Sequence, residues 1–103
     1  MSDSYARIAR VSDVPEGARK VFDVGGKTVL VCHLPGRWYA LSNRCSHANQ
    51  SLDCGRVRSG WIACPLHGAR FDLATGRALN LPATEPIATY QLRIVDDWIE
   101  ILV

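Results

Sequence analysis

Two cysteine–histidine pairs constrain this chain more than any other feature. Cys45-Ser46-His47 is the first and Cys64-Pro65-Leu66-His67 the second, with sixteen residues between them. Thiolate sulfur suits zinc, copper(I) and iron–sulfur clusters, and imidazole suits zinc and iron. Structural zinc sites usually pair cysteine with cysteine and histidine with histidine. Here each loop carries one of each. A mixed pair suits a two-iron cluster with both cysteines on one iron and both histidines on the other. The two loops then approach from opposite sides, each giving one ligand to each iron.

The rest of the chain is punctuated every eight to twelve residues, the texture of many short strands. Strands are predicted over residues 5–11, 18–24, 27–34 and 38–42, and again over 88–95 and 98–103. Val14-Pro15-Glu16-Gly17 is a turn signal, because proline pre-sets its backbone angle and glycine relaxes the exit. Gly25-Gly26 between two strand-like runs signals a two-residue hairpin, whose central positions need positive φ. Asp96-Asp97 is a second plausible hairpin, and Pro35-Gly36-Arg37 a third reversal. Between residues 43 and 87 glycine, proline, asparagine and serine are frequent. Strand candidates there shrink to residues 56–58, 61–64 and 70–73. No ten-residue window has a 3.6-residue apolar period, so little helix is expected.

With 103 residues the chain is one domain at most. Its 48% hydrophobic and 21% charged composition excludes a disordered or low-complexity chain. A net charge of +2 gives no footprint for nucleic acid. No apolar run follows a basic start, so no secretory leader is expected, and no stretch is long enough to span a bilayer. A cytoplasmic protein is the expectation, with reduced thiols and no disulfide framework.

Two cysteines and one histidine stand outside the pairs. Cys32 alternates with Leu30 and Leu34, which points it into a core. Cys54 lies in Ser51-Leu52-Asp53-Cys54-Gly55, and both are expected as buried free thiols rather than a disulfide. His33 lies on a strand with no cysteine at ligand spacing and is read as structural. Trp38, Trp61 and Trp98 are spread among strands without basic interleaving, so they are read as sheet or core packing rather than a base-stacking surface.

The second pair continues as Gly68-Ala69-Arg70-Phe71-Asp72 and then Thr75-Gly76. With Cys45-Ser46-His47, these residues resemble the Rieske ferredoxins, small carriers of bacterial aromatic-ring-hydroxylating dioxygenase systems. The resemblance covers nearly the whole chain. It implies an all-β fold of stacked antiparallel sheets, one domain over residues 1–103 with a cluster-binding subdomain at about residues 43–80. It also implies that Pro82, in Leu81-Pro82-Ala83, lies on a loop that covers the cluster. One [2Fe–2S] cluster bound by Cys45, His47, Cys64 and His67 is implied, with no catalytic residue. The implied partners are a flavin-dependent NAD(P)H ferredoxin reductase and a terminal ring-hydroxylating oxygenase, and a monomer is expected. The ligand histidines expose their second ring nitrogen in this family, so Arg44, Asn49, Gln50, Pro65 and Leu66 beside them are candidates for the docking face.

Formal charges bear on the electron. Two ferric ions, two sulfides and two thiolates sum to about zero, whereas four thiolates give about −2, so a Rieske centre accepts an electron more readily. The high-potential respiratory branch adds a disulfide between its loops, at positions held here by Gln50 and Leu66. It also places a serine and a tyrosine hydroxyl near the cluster, where this chain has Ala69 and Phe71. Fewer donors leave an added electron less stabilised, which predicts a potential near the lower end of the Rieske range, about −150 mV.

Three other roles draw on the same residues. A Rieske oxygenase also needs a mononuclear iron on two histidines and a carboxylate. Only His33 remains for that, and the chain is too short for a substrate domain. A Rieske-like small subunit of an assimilatory nitrite reductase and a structural Cys2His2 zinc module are the alternatives to the relay.

Overall fold

The computed structural model describes residues 4–46, 50–65 and 68–102. Among the described residues nine strands form three antiparallel three-stranded sheets, and no α-helix is present. The first sheet is ordered β1 (Tyr5–Arg10), β9 (Trp98–Leu102), β8 (Leu92–Val95). The second is β2 (Arg19–Val24), β3 (Lys27–Leu34), β4 (Arg37–Ser42), and the third is β5 (Arg56–Arg58), β6 (Trp61–Ala63), β7 (Arg70–Asp72).

The all-β stacked architecture is the one expected. The middle sheet lies between two cores, because β3 is apolar on both faces. Leu30 and Cys32 face a cluster with Leu41, Leu52, Ile62 and Phe71. Val29 and Val31 face the other way, into a cluster with Ala40, Ile99 and Ile101. A strand buried on both faces reads as a near-continuous apolar run, which is what Val29-Leu30-Val31-Cys32 is.

The hairpins follow their turn chemistry. Gly25 and Gly26 both have positive φ, and so do Asp96 and Asp97, as a two-residue loop of this kind requires. Three expectations are corrected. The turn after Val14 is shifted by one residue: the Ala18 N–H donates to the Pro15 carbonyl at 2.9 Å, with Gly17 at φ +89°. Glycine is the residue that tolerates that angle, so its position sets the register. The strand predicted to begin at residue 5 ends at Arg10, because residues 11–13 close into a 3-10 turn whose Asp13 carboxylate accepts from the Arg10 N–H at 2.9 Å. The strand predicted over residues 88–95 divides. Thr89 bridges to Leu41 of β4 and Tyr90 N–H donates to the Ala40 carbonyl at 2.8 Å. From Leu92 the chain pairs with β9 instead. One segment therefore serves two sheets and ties them together.

Candidate metal centre

The first loop leaves β4 and is fastened at its base. Asn43 N–H donates to the Thr28 carbonyl at 3.0 Å, and Leu52 N–H donates to the Asn43 carbonyl at 2.9 Å. The Asn43 amide donates to Asp53 Oδ1 at 3.1 Å. Arg44 and Ser51 form a bridge, and Cys45 N–H donates to the Gln50 carbonyl at 2.9 Å. Cys45 is 3% exposed. The second loop is closed the same way: Cys64 N–H donates to the Ala69 carbonyl at 2.6 Å, and Gly68 N–H to the Cys64 carbonyl at 3.0 Å. Gly68 turns the chain at φ +73°, where a side chain would be strained, and Cys64 is 1% exposed.

Both sulfur-bearing residues thus sit at the bases of hydrogen-bonded loops and share one core with Leu52, Ile62, Ala69 and Phe71. Ala69 and Phe71 are fully buried there, and neither carries a hydroxyl. His47 and His67 lie outside the described residues, as do Asn49 and Leu66 of the expected docking face. Of the remaining docking candidates, Arg44 and Pro65 are exposed and Gln50 is half-buried.

Three features were not legible in the sequence. Ser46 Oγ donates to the Glu85 carbonyl at 2.6 Å. Asn80 Oδ1 accepts from the Arg70 N–H at 2.6 Å, and its amide donates to the Gly68 carbonyl at 3.5 Å. Residues 80–85, which hold Pro82 after a cis peptide bond, are therefore clipped to both loops. Gly55 is the third: a Cβ there would run into the Ala63 carbonyl, next to Cys64. Only glycine lets the return of the first loop approach β6 so closely. None of the three has a local periodic signal, since each contact spans distant chain positions.

The residues read as bystanders divide. Cys32 is buried, and burial pushes its thiol up to about 11 while Arg19, its cross-strand neighbour, pulls the other way. Cys54 is exposed, contrary to expectation, with its thiol 3.8 Å from Asp53 Oδ2. The Leu52 side chain takes the core position instead, and Cys54 lies in the turn that follows. His33 is structural as read: its ring stacks on Trp38 at 3.6 Å and Nδ1 lies 2.8 Å from the Val14 carbonyl oxygen. The tryptophans lie on strands, half-buried, but two do have basic company. Arg7 and Arg10 lie 5.0 and 4.3 Å from the Trp98 ring centre, and Arg70 lies 5.1 Å from that of Trp61. Among the described residues, no helix is long and apolar enough to cross a membrane.

The family model described as Rieske [2Fe-2S] domain matches residues 4–91. The ferredoxin subunit of 3-phenylpropionate/cinnamic acid dioxygenase from Escherichia coli K12 is 41% identical over 85 residues, 82% of this chain and 79% of that protein. The ferredoxin of carbazole 1,9a-dioxygenase from Nocardioides aromaticivorans IC177 superposes with a TM-score of 0.89 at 36% identity, over 95% of this chain and 96% of that one. A ferredoxin of Sphingomonas yanoikuyae B1 superposes at 0.88 and 32% identity, over 97% and 99%. The residues present fit such a cluster: two buried cysteines outside any disulfide, on closed loops, in one apolar core. Thiolates in such a core are soft ligands shielded from water, as an iron–sulfur centre requires.

Proposed function

The chain belongs to the Rieske [2Fe–2S] domain family, and from that premise we propose that it is the one-electron relay of an aromatic-ring dioxygenase system. It carries one Rieske-type cluster, which when bound takes up and gives back a single electron. The reading is supported above all by the 41% identity to a dioxygenase ferredoxin subunit over most of both chains. The same identity favours the relay over a nitrite reductase subunit, and the family favours it over a zinc module.

The proposed ligands are Cys45 and Cys64 for one iron and His47 and His67 for the other. Each cysteine is held in its loop by backbone hydrogen bonds, Cys45 N–H to the Gln50 carbonyl and Cys64 N–H to the Ala69 carbonyl. Apolar Leu52, Ile62 and Phe71 exclude water from the sulfur side. The whole of residues 1–103 is proposed as one domain, with residues 43–80 and the β5–β7 sheet as its cluster-binding part. The relay is not itself catalytic, resides in the cytoplasm and works as a monomer. A flavin-dependent NAD(P)H reductase is its proposed donor and a terminal ring-hydroxylating oxygenase its acceptor.

The test is reconstitution. The protein is mixed with the reductase and oxygenase components of the 3-phenylpropionate dioxygenase system, and NAD(P)H-dependent product formation is followed. Turnover that depends on this protein supports the relay. Reduction without any transfer to an oxygenase counts against it.

A further inference from the structure

The sheet β5–β7 has two unlike faces. Its register pairs Arg56, Ala63 and Arg70 in one row and Arg58, Trp61 and Asp72 in the next but one. Paired residues share a face, and so do residues two apart on a strand, so these six side chains lie together. The row between them, Val57, Ile62 and Phe71, points the other way into the core.

The outward face is net basic, with three arginines against one acid. Arg56, Arg58 and Arg70 are exposed. Among the described residues the ion pairs are Arg7–Glu100 and Arg93–Glu100, so none of these three arginines is paired. Asp72, the one acid on the face, already accepts from the N–H groups of Ala74 and Thr75 at 2.8 and 3.4 Å. Arg70 packs on Trp61 at 5.1 Å and remains exposed, which stiffens one guanidinium. A groove of about 350 Å³ runs from Arg56, Trp61 and Arg70 to Cys64, Pro65 and Gly68. The basic face is thus continuous with the second ligand-bearing loop.

We propose that this arginine face docks an acidic surface of the terminal oxygenase and orients it over the Cys64 loop. The inference rests on the relay reading. A charged platform beside a redox loop speeds encounter and fixes register, the two things a short-lived electron-transfer complex needs. Arginine serves better than lysine, because its planar fork takes a carboxylate on two donors. A nucleic acid fits poorly: binding there is carried by many phosphate contacts, and three cations supply few.

Two measurements on the holoprotein test the proposal. In the first, an eight-residue polyglutamate peptide is titrated into the isotope-labelled protein, and backbone amide shifts are followed by NMR. Shifts confined to residues 56–72, weakened by salt and lost in the Arg56→Gln/Arg70→Gln double variant, support it. No shifts there, or equal shifts at every basic surface, overturn it. In the second, chemically reduced protein is mixed with the oxygenase of the 3-phenylpropionate system in a stopped-flow instrument. The double variant is expected to transfer electrons roughly tenfold more slowly at low salt, with a flatter salt dependence. The charge-matched Lys20→Gln/Arg37→Gln control, on the middle sheet, retains the wild-type rate. Unaltered visible spectra and circular dichroism establish that both variants are folded and loaded. Equal rates for wild type and the Arg56/Arg70 variant overturn the docking face and leave the relay standing. No transfer by wild type, with the peptide shifts present, counts against the relay and not against the acidic-surface site.

Discussion

The Ser46 hydroxyl donates a 2.6 Å hydrogen bond to the Glu85 carbonyl, joining the loop that carries Cys45 to a segment 39 residues later. Asn80 makes the matching clip to the second loop through Arg70 and Gly68. Ser46→Ala is expected to cost about 0.5–1.5 kcal/mol, the usual net value of one such bond, and Asn80→Ala, which loses two, more than that. Thermal unfolding of the holoprotein measures that cost. A separate readout follows from what the clips do: the visible absorption should bleach faster in a chelator for both variants than for wild type. Wild-type bleaching rates in both would show that the clips do not guard the centre.

Gly55→Ala tests the close approach beneath Cys64. A Cβ there meets the Ala63 carbonyl, which is backbone and cannot swing away. Overpacking of this kind costs about 1–3 kcal/mol. Lower stability together with reduced iron content per chain is the expected result.

The thiols should differ in reactivity. Cys32 is buried with its pKa raised to about 11, so it stays protonated at neutral pH, whereas Cys54 is exposed. Mass spectrometry after alkylation of the holoprotein should find Cys54 labelled and Cys32 unlabelled. The sign for stability follows from desolvation of the thiolate. A pKa raised by folding adds stability below the unfolded value near 9, and that stability is lost as pH rises through about 11. Cys32→Ser should flatten this alkaline decline.

Glu100 carries the opposite sign. Hydrogen bonds from Arg93, at 2.7 Å, and from Arg7 hold its carboxyl below the usual range. Its contribution is present above the unfolded pKa and is lost as pH falls through the folded one. Glu100→Gln should therefore lower the melting temperature at pH 7 and make little difference in strong acid.

The sequence made the fold legible where local chemistry dictates structure. Gly25-Gly26 and Asp96-Asp97 can hardly do other than reverse the chain, and the apolar run within residues 27–34 marks a strand with Cys32 in a core. Its silence falls on long-range contacts. Nothing near Asn80 announces that its amide reaches Gly68, and nothing near Cys54 shows that Leu52 takes the buried place. The switch of residues 88–95 from one sheet to another is likewise invisible to periodicity, because both halves alternate alike. The proposed ligands Cys45, His47, Cys64 and His67 rest on the sequence for the contrary reason: metal chemistry restricts residue type and spacing together.

His47→Ala and His67→Ala should each lose the Rieske absorption, since alanine offers no donor in place of the imidazole. His33→Ala, which removes the stack on Trp38 and the contact with the Val14 carbonyl, should keep it. Loss of the spectrum in His33→Ala would refute the ligand assignment.

The potential of the reconstituted wild-type protein tests the central claim most directly. Spectroelectrochemical titration should give a single one-electron step near about −150 mV, set by two histidines on one iron and by hydroxyl-free Ala69 and Phe71 nearby. A midpoint near about −400 mV, where all-cysteine plant-type ferredoxins lie, or one above roughly +100 mV, would contradict it.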